Sequence, residues 1–207
     1  PFASLQAIMT DELFADGPGN TPLTPEEARD LIPSIATRAE LNLLERHNIH
    51  TARMWAMRPR TLRRADLLSD GFSRELHRKM FADVWGWAGQ YRVSERNLGW
   101  DWPRIPEGVR AALDDAAYWD RHATYPLLEA VVRLHYRLVV IHPWPNGNGR
   151  HARLMAEIWC AARGAAEPTW GARADLMTSG NPRGRYLAAL RTADQNNFGP
   201  LLDFAQS

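Results

Sequence analysis

Residues 142–150 read HPWPNGNGR, with prolines at 143 and 145 and glycines at 147 and 149, between two stretches that are patterned as helices. Ahead of the run, Leu127, Val131, Leu134, Leu138 and Ile141 recur at helical spacing and predict an apolar-faced helix over 127–141. Behind it, residues 149–163 again read as helix. The chain must therefore make helix, sharp break, helix, with His142 closing the first element and Pro143 turning the backbone away from helical geometry. Gly147-Asn148-Gly149 permits left-handed or close-approach backbone, and successive amides there can form a nest for an anion. The second helix opens on that nest, with partial positive charge and free N–H groups at its start. Yet Arg150 and Arg153 lie in its first turn, on one face, where the macrodipole disfavours cations. Such a turn calls for an anion, either the phosphates of a di- or triphosphate or a carboxylate supplied from elsewhere in the fold.

Other readings of this region fail on pattern. No GxxxxGK[ST] occurs, and the glycines do not sit in a strand–turn–helix unit, so neither common nucleotide loop applies. His47, His50, His135, His142 and His151 lack the carboxylate or cysteine partners of a zinc site. With 25 Lys and Arg against 24 Asp and Glu, the net charge is +1, which argues against a general nucleic-acid or membrane-surface binder. The single cysteine, Cys160, excludes an internal disulfide and fits a reducing, cytoplasmic setting. It reads as an inert thiol in an apolar stretch. No run approaches the roughly 20 apolar residues of a membrane span, and no secretory signal pattern is read in the first residues.

Along the chain, residues 1–33 read as an irregular arm rich in Pro, Gly, Asn and Thr, followed by one domain over 34–207. Helices are expected from about Ser34 through "TRAELNLLERHNI", with apolar positions 41, 44 and 49. Further helices are expected at about 74–85, 107–121, 127–141, 149–163, 182–195 and 198–205, with Asn181 as an N-cap. Residues 86–106, GWAGQYRVSERNLGWDWPRIP, break the helical period and read as a short β-hairpin or extended flap. The class is mostly α.

The run from His142 to Arg153 resembles the signature of the Fic (Fic/Doc) family, HxFx[D/E]GNGRxxR, with Trp144 in the phenylalanine place and Asn146 in the carboxylate place. "LNLLERHNI", "VWGWAGQYR" and "RYLAALRTADQNNFGPLLDFA" are similar to other parts of that family, so the likeness covers about residues 22–206. "TPLTPEEARDLIP" resembles the subgroup called mobile mystery protein B. The resemblance implies a Fic-type helical bundle with a short β-hairpin flap, and AMPylation, the transfer of AMP from ATP to a Tyr, Thr or Ser hydroxyl of a target protein. It implies His142 as general base, Gly147, Asn148 and Gly149 as phosphate-binding amides, and Arg150 and Arg153 as neutralising charges. It further implies a flap at 93–104 that holds the target, and Mg²⁺ near residue 146. Asn146 brings no charge, so the metal site is expected to be weak. An attenuated or non-catalytic nucleotide-binding module, or a transferase with another nucleotide donor, stands as the alternative. The subgroup implies a toxin-like setting on mobile elements and a small helix-turn-helix companion. Family members with a built-in brake carry a glutamate in [S/T]xxxE[G/N]. The nearest match is Glu40 in ATRAELN, where Thr37-Arg-Ala-Glu40 is equally a capping box.

Overall fold

The computed structural model describes residues 23–35, 37–171 and 181–207. Its helices are α1 (Pro25–Arg29), α2 (Arg38–Ala56), α3 (Pro59–Leu62), α4 (Asp70–Phe81), α5 (Ile105–His122), α6 (Leu127–Ile141), α7 (Asn148–Ala162), α8 (Asn181–Ala193) and α9 (Gly199–Gln206), with a 3₁₀ turn at Trp102–Arg104. The main helix pairs are α6 with α7, α2 with α4, α5 with α6, and α8 with α9. The described part is mostly helical, as expected. Asn181 is the first residue of α8 rather than its cap. Ala36 of the ATRAELN pattern lies outside the described residues.

The apolar stripe of α6 becomes core: Val131, Leu134, Leu138 and Ile141 are buried. On α2 the buried face is Leu41, Glu45, Asn48, Ala52 and Ala56. Leu44, expected inside, faces out with Leu43. Helix α2 therefore carries a carboxylate and an amide on its inward stripe. Thr37 caps it, with its Oγ1 accepting from Glu40 N at 3.2 Å and Glu40 Oε2 accepting from Thr37 N at 3.2 Å.

Part of the arm is structured. Helix α1 starts on its own capping box, Thr24 with Glu27, and has Pro in its first turn. The chain after it lies along residues 84–86, with Ile32 N donating to Val84 O at 2.9 Å and Gly86 N to Asp30 O at 2.9 Å.

The expected β-hairpin flap is absent. Among the described residues no strand forms, and the one isolated bridge pairs Leu31 with Trp85. The cause is Arg92, which is 2% exposed. Its guanidinium donates to Ser94 O at 2.7 Å, to Trp100 O, and to His142 O at 2.8 Å. Trp100 N donates to Ile141 O at 3.2 Å, and Arg92 N to Pro143 O at 2.9 Å. Groups that a hairpin ladder would pair with each other are thus taken by one side chain and by the end of α6. Gly99, at φ +96°, lies so close that a Cβ there would sit 2.6 Å from His142 Cβ.

Candidate active site

Helix α6 ends on His142 in a left-handed conformation, φ 55° and ψ 59°. The loop that follows is held at both ends. Asn148 Oδ1 accepts from Trp144 N at 2.8 Å while its Nδ2 donates to Trp144 O at 2.8 Å, so this side chain closes the turn. Buried His77 accepts from Gly89 N at Nδ1, 2.9 Å, which leaves Nε2–H to donate to Asn146 O at 3.1 Å. Its ring stacks on Trp144 at 4.1 Å. Gly147 caps α7 at φ +83°, and a Cβ there would lie 2.4 Å from the Phe81 ring. No side chain caps α7, so its first amides remain available for an anion, as the sequence leads one to expect.

The two arginines of the first turn have different partners. Arg150 lies over the Phe81 ring and donates to Glu45 Oε2 at 2.6 Å. Glu45 Oε1 accepts from Trp85 Nε1 at 2.8 Å and from Asn146 Nδ2 at 3.2 Å. Arg153 forms no ion pair among the described residues. It lies beside Gly149, 3.5 Å from where a Cβ would stand, and its guanidinium sits 5.8 Å from the centre of the Tyr186 ring. Burial holds the Arg153 pKa below its ordinary value, and an unpaired buried cation is costly without an anion. The two answers to the charge problem therefore divide: a carboxylate of the fold pairs with Arg150, while Arg153 hydrogen-bonds the Tyr186 hydroxyl and feels Glu157 only at longer range.

His142 is half-buried. Burial, then the charge of Arg92, then that of Arg96 lower its pKa to about 4, against a hydrogen bond to the Val139 backbone that raises it. It is a neutral imidazole at physiological pH, with one nitrogen donating to a carbonyl and the other carrying a lone pair. Arg96 is itself paired with Glu27 of α1, and Ser94 Oγ donates to Glu27 Oε1 at 3.0 Å. Val93, Leu98 and Trp102 of the flap are exposed, at 75%, 45% and 39%. Trp100 instead packs over Gly108 of α5.

The structure thus gathers His142, Asn146, Gly147, Asn148, Gly149, Arg150 and Arg153 around one turn. Glu40 sits exposed in the first turn of α2, where it is engaged in the capping box. Sequence reasoning missed Glu45, Arg92, His77 and Tyr186. Glu45 was findable, since it shares the i, i+4 spacing of Leu41 and of the buried alanines, and a charge on a core stripe asks for a partner. Of the five histidines weighed as metal ligands, His135 and His151 are core residues. His135 Nε2 lies 3.0 Å from Tyr186 Oη, and His151 Nε2 donates to Ser73 O at 2.9 Å. No cluster of three or more His, Cys, Asp or Glu side chains able to hold a metal occurs among the described residues. Burial raises the Cys160 thiol pKa to about 11, in keeping with an inert role. No helix is long and apolar enough to cross a membrane.

Residues 68–160 match the model of the Fic/DOC family. A relative named protein adenylyltransferase fic-1, from Caenorhabditis elegans, is 28% identical over 142 residues, which are 63% of this chain and 25% of the relative. The chain thus spans about a quarter of the length of the curated relatives it matches. Among solved structures, the Fic domain of Bep8 from Bartonella sp. 1-1C superposes with TM-score 0.63 at 16% identity, covering 93% of this chain and 92% of that one. BepC of Bartonella tribocorum, solved with bound AMPPNP, superposes with TM-score 0.62 at 17% identity, covering 83% and 87%. At these identities the structures speak to the fold alone. Residues 68–160, which match the Fic/DOC family model, include the whole His142–Arg153 turn.

Proposed function

We propose that this chain transfers AMP from ATP to a hydroxyl side chain of a target protein. The observation that carries the proposal is a neutral, partly buried His142 at the end of α6, joined by a pinned turn to the uncapped N-terminus of α7, with Arg153 beside it and outside any ion pair among the described residues. In this reading the target hydroxyl attacks the α-phosphorus and gives its proton to His142. The bond from the α-phosphorus to the bridging oxygen breaks, and pyrophosphate leaves. The α7 amides at 148–150 and Arg153 hold the negative charge as it develops. Arg150, tied to Glu45, holds the turn in shape and contributes its charge from behind. The exposed flap residues Val93, Leu98 and Trp102 receive an extended target segment. The adenylyltransferase names of the curated relatives and the AMPPNP bound to BepC support ATP as donor. The test is labelling of lysate proteins with α-labelled ATP: transfer is expected, and His142→Ala should abolish it. Label that survives His142→Ala removes His142 as the base, and γ-label in place of α-label assigns another transfer.

A second reading, nucleotide binding without turnover, is favoured by one observation: the residue at 146 is an amide whose polar atoms are engaged inside the protein. Binding seen by calorimetry with no label transferred to any protein would select it. The small helix-turn-helix companion implied by the subgroup resemblance would be tested by co-purification and belongs to the same proposal.

A further inference from the structure

The side-chain amide and the backbone oxygen of Asn146 are all engaged within the protein. Its Nδ2 donates to Glu45 Oε1 at 3.2 Å, its Oδ1 accepts from Gly147 N at 2.7 Å and from Arg150 Nη2 at 3.4 Å, and its backbone oxygen accepts from His77 Nε2 at 3.1 Å. These partners fix which side of the amide is nitrogen: the carboxylate needs a donor, and the two N–H groups need an acceptor. Glu45 is equally committed, with Trp85 and Asn146 on one oxygen and Arg150 on the other. Its side chain is 3% exposed.

This donor set does not suit Mg²⁺. The ion takes near-octahedral oxygen ligands and is usually held through one or two carboxylates. Here the Glu45 carboxylate is engaged by N–H donors on both oxygens, the one side-chain oxygen at 146 already accepts two, and one of those donors is a guanidinium. A cation on Asn146 Oδ1 would have to displace both Gly147 N–H and Arg150. The same geometry explains why an amide stands here. An aspartate at 146 would face the Glu45 carboxylate across a buried 3.2 Å contact with no donor between them.

Resting on the assignment of the α7 N-terminus as the phosphate site, we infer that this centre binds the ATP phosphates without a divalent cation held by the protein, residue 146 being a strut between Glu45 and the loop rather than a ligand. The charge that a protein-held metal would meet falls to Arg153 and the α7 amides, with Arg150 fixed behind them. The identity of residue 146 follows from Glu45 on α2, so the two positions act as a unit.

The test is calorimetric titration of the full chain with ATP, once in Mg²⁺ and once in EDTA, for wild type and Asn146→Asp, together with thermal melting of both proteins without nucleotide. Wild-type affinity is expected to differ by less than about threefold between the two buffers, where a tenfold change corresponds to about 1.4 kcal/mol. Asn146→Asp is expected to melt at lower temperature and to gain no Mg²⁺ dependence. Tenfold or greater weakening of the wild type in EDTA overturns the inference and leaves the AMP-transfer reading standing. An Asn146→Asp protein that melts like wild type, or that acquires Mg²⁺-dependent binding, also overturns it. Absence of ATP binding in both buffers overturns the phosphate site itself, and this inference with it.

Discussion

Arg150 and Arg153 stand three residues apart on α7, and their substitution should be felt in different quantities. Arg150 answers a buried carboxylate. Glu45→Ala strands that guanidinium and the Trp85 N–H together, and is expected to cost about 3 kcal/mol of stability by urea denaturation. Arg153 makes no ion pair among the described residues, so Arg153→Met should cost less stability than Glu45→Ala and instead weaken ATP binding, read as a rise in Kd by calorimetry. A large stability loss in Arg153→Met with unchanged Kd would reverse the two roles. Gly147 is a third distinct case: at φ +83° and packed on Phe81, Gly147→Ala is expected to lose about 2 kcal/mol from backbone strain alone, with further loss if the Phe81 ring cannot shift.

At the scale of elements, the flap departs furthest from its expected form. Arg92 draws the carbonyls of 94, 100 and 142 to one cation. Arg92→Lys supplies a single ammonium without the guanidinium fork, so hydrogen exchange at the Trp100 amide should speed up while the α6 amides hold; equal protection in the two proteins would show that the clamp does not organise the flap. The flap also shows why some elements could be read in advance and others not. The helices over 127–141 and 149–163 were legible because apolar periodicity and burial coincide there. The hairpin reading rested on glycines, prolines and aromatics, which report a break in helix but not where the freed backbone groups find partners. A buried arginine filling that role leaves no local pattern. Helix α1 was missed for a different reason: Thr24-Pro-Glu-Glu27 is a legible capping box, but five residues are too short to show a period. The charge problem of the turn is visible in its letters, whereas its internal carboxylate lies 105 residues away from Arg150 in sequence, beyond any local rule.

For the molecule as a whole, buried His77, His135 and His151 and half-buried His142 set the response to acid. Burial pulls the pKa of His135 to about 3 and those of His142 and His151 to about 4, and places that of His77 well below the ordinary range. Each is depressed on folding, so the unfolded chain binds the protons first. Stability is therefore complete above about pH 6.5 and is lost as pH falls from there toward pH 4, by up to about 1.4 kcal/mol per pH unit for each ring. Urea midpoints measured from pH 7.5 to 5 should fall, and His151→Gln should flatten the slope; midpoints independent of pH would contradict the burial of these rings. Carriage of Glu45 by α2 has a consequence for how the protein is made. During synthesis the carboxylate leaves the ribosome about a hundred residues ahead of the loop it completes, so Glu45 must wait on α2 for Arg150. A fragment beginning at residue 68, which keeps the whole family match, would retain the His142–Arg153 signature and lack the acid that anchors it. The motif can be transplanted as a string of letters, but its working shape is inherited from a distant stretch of chain.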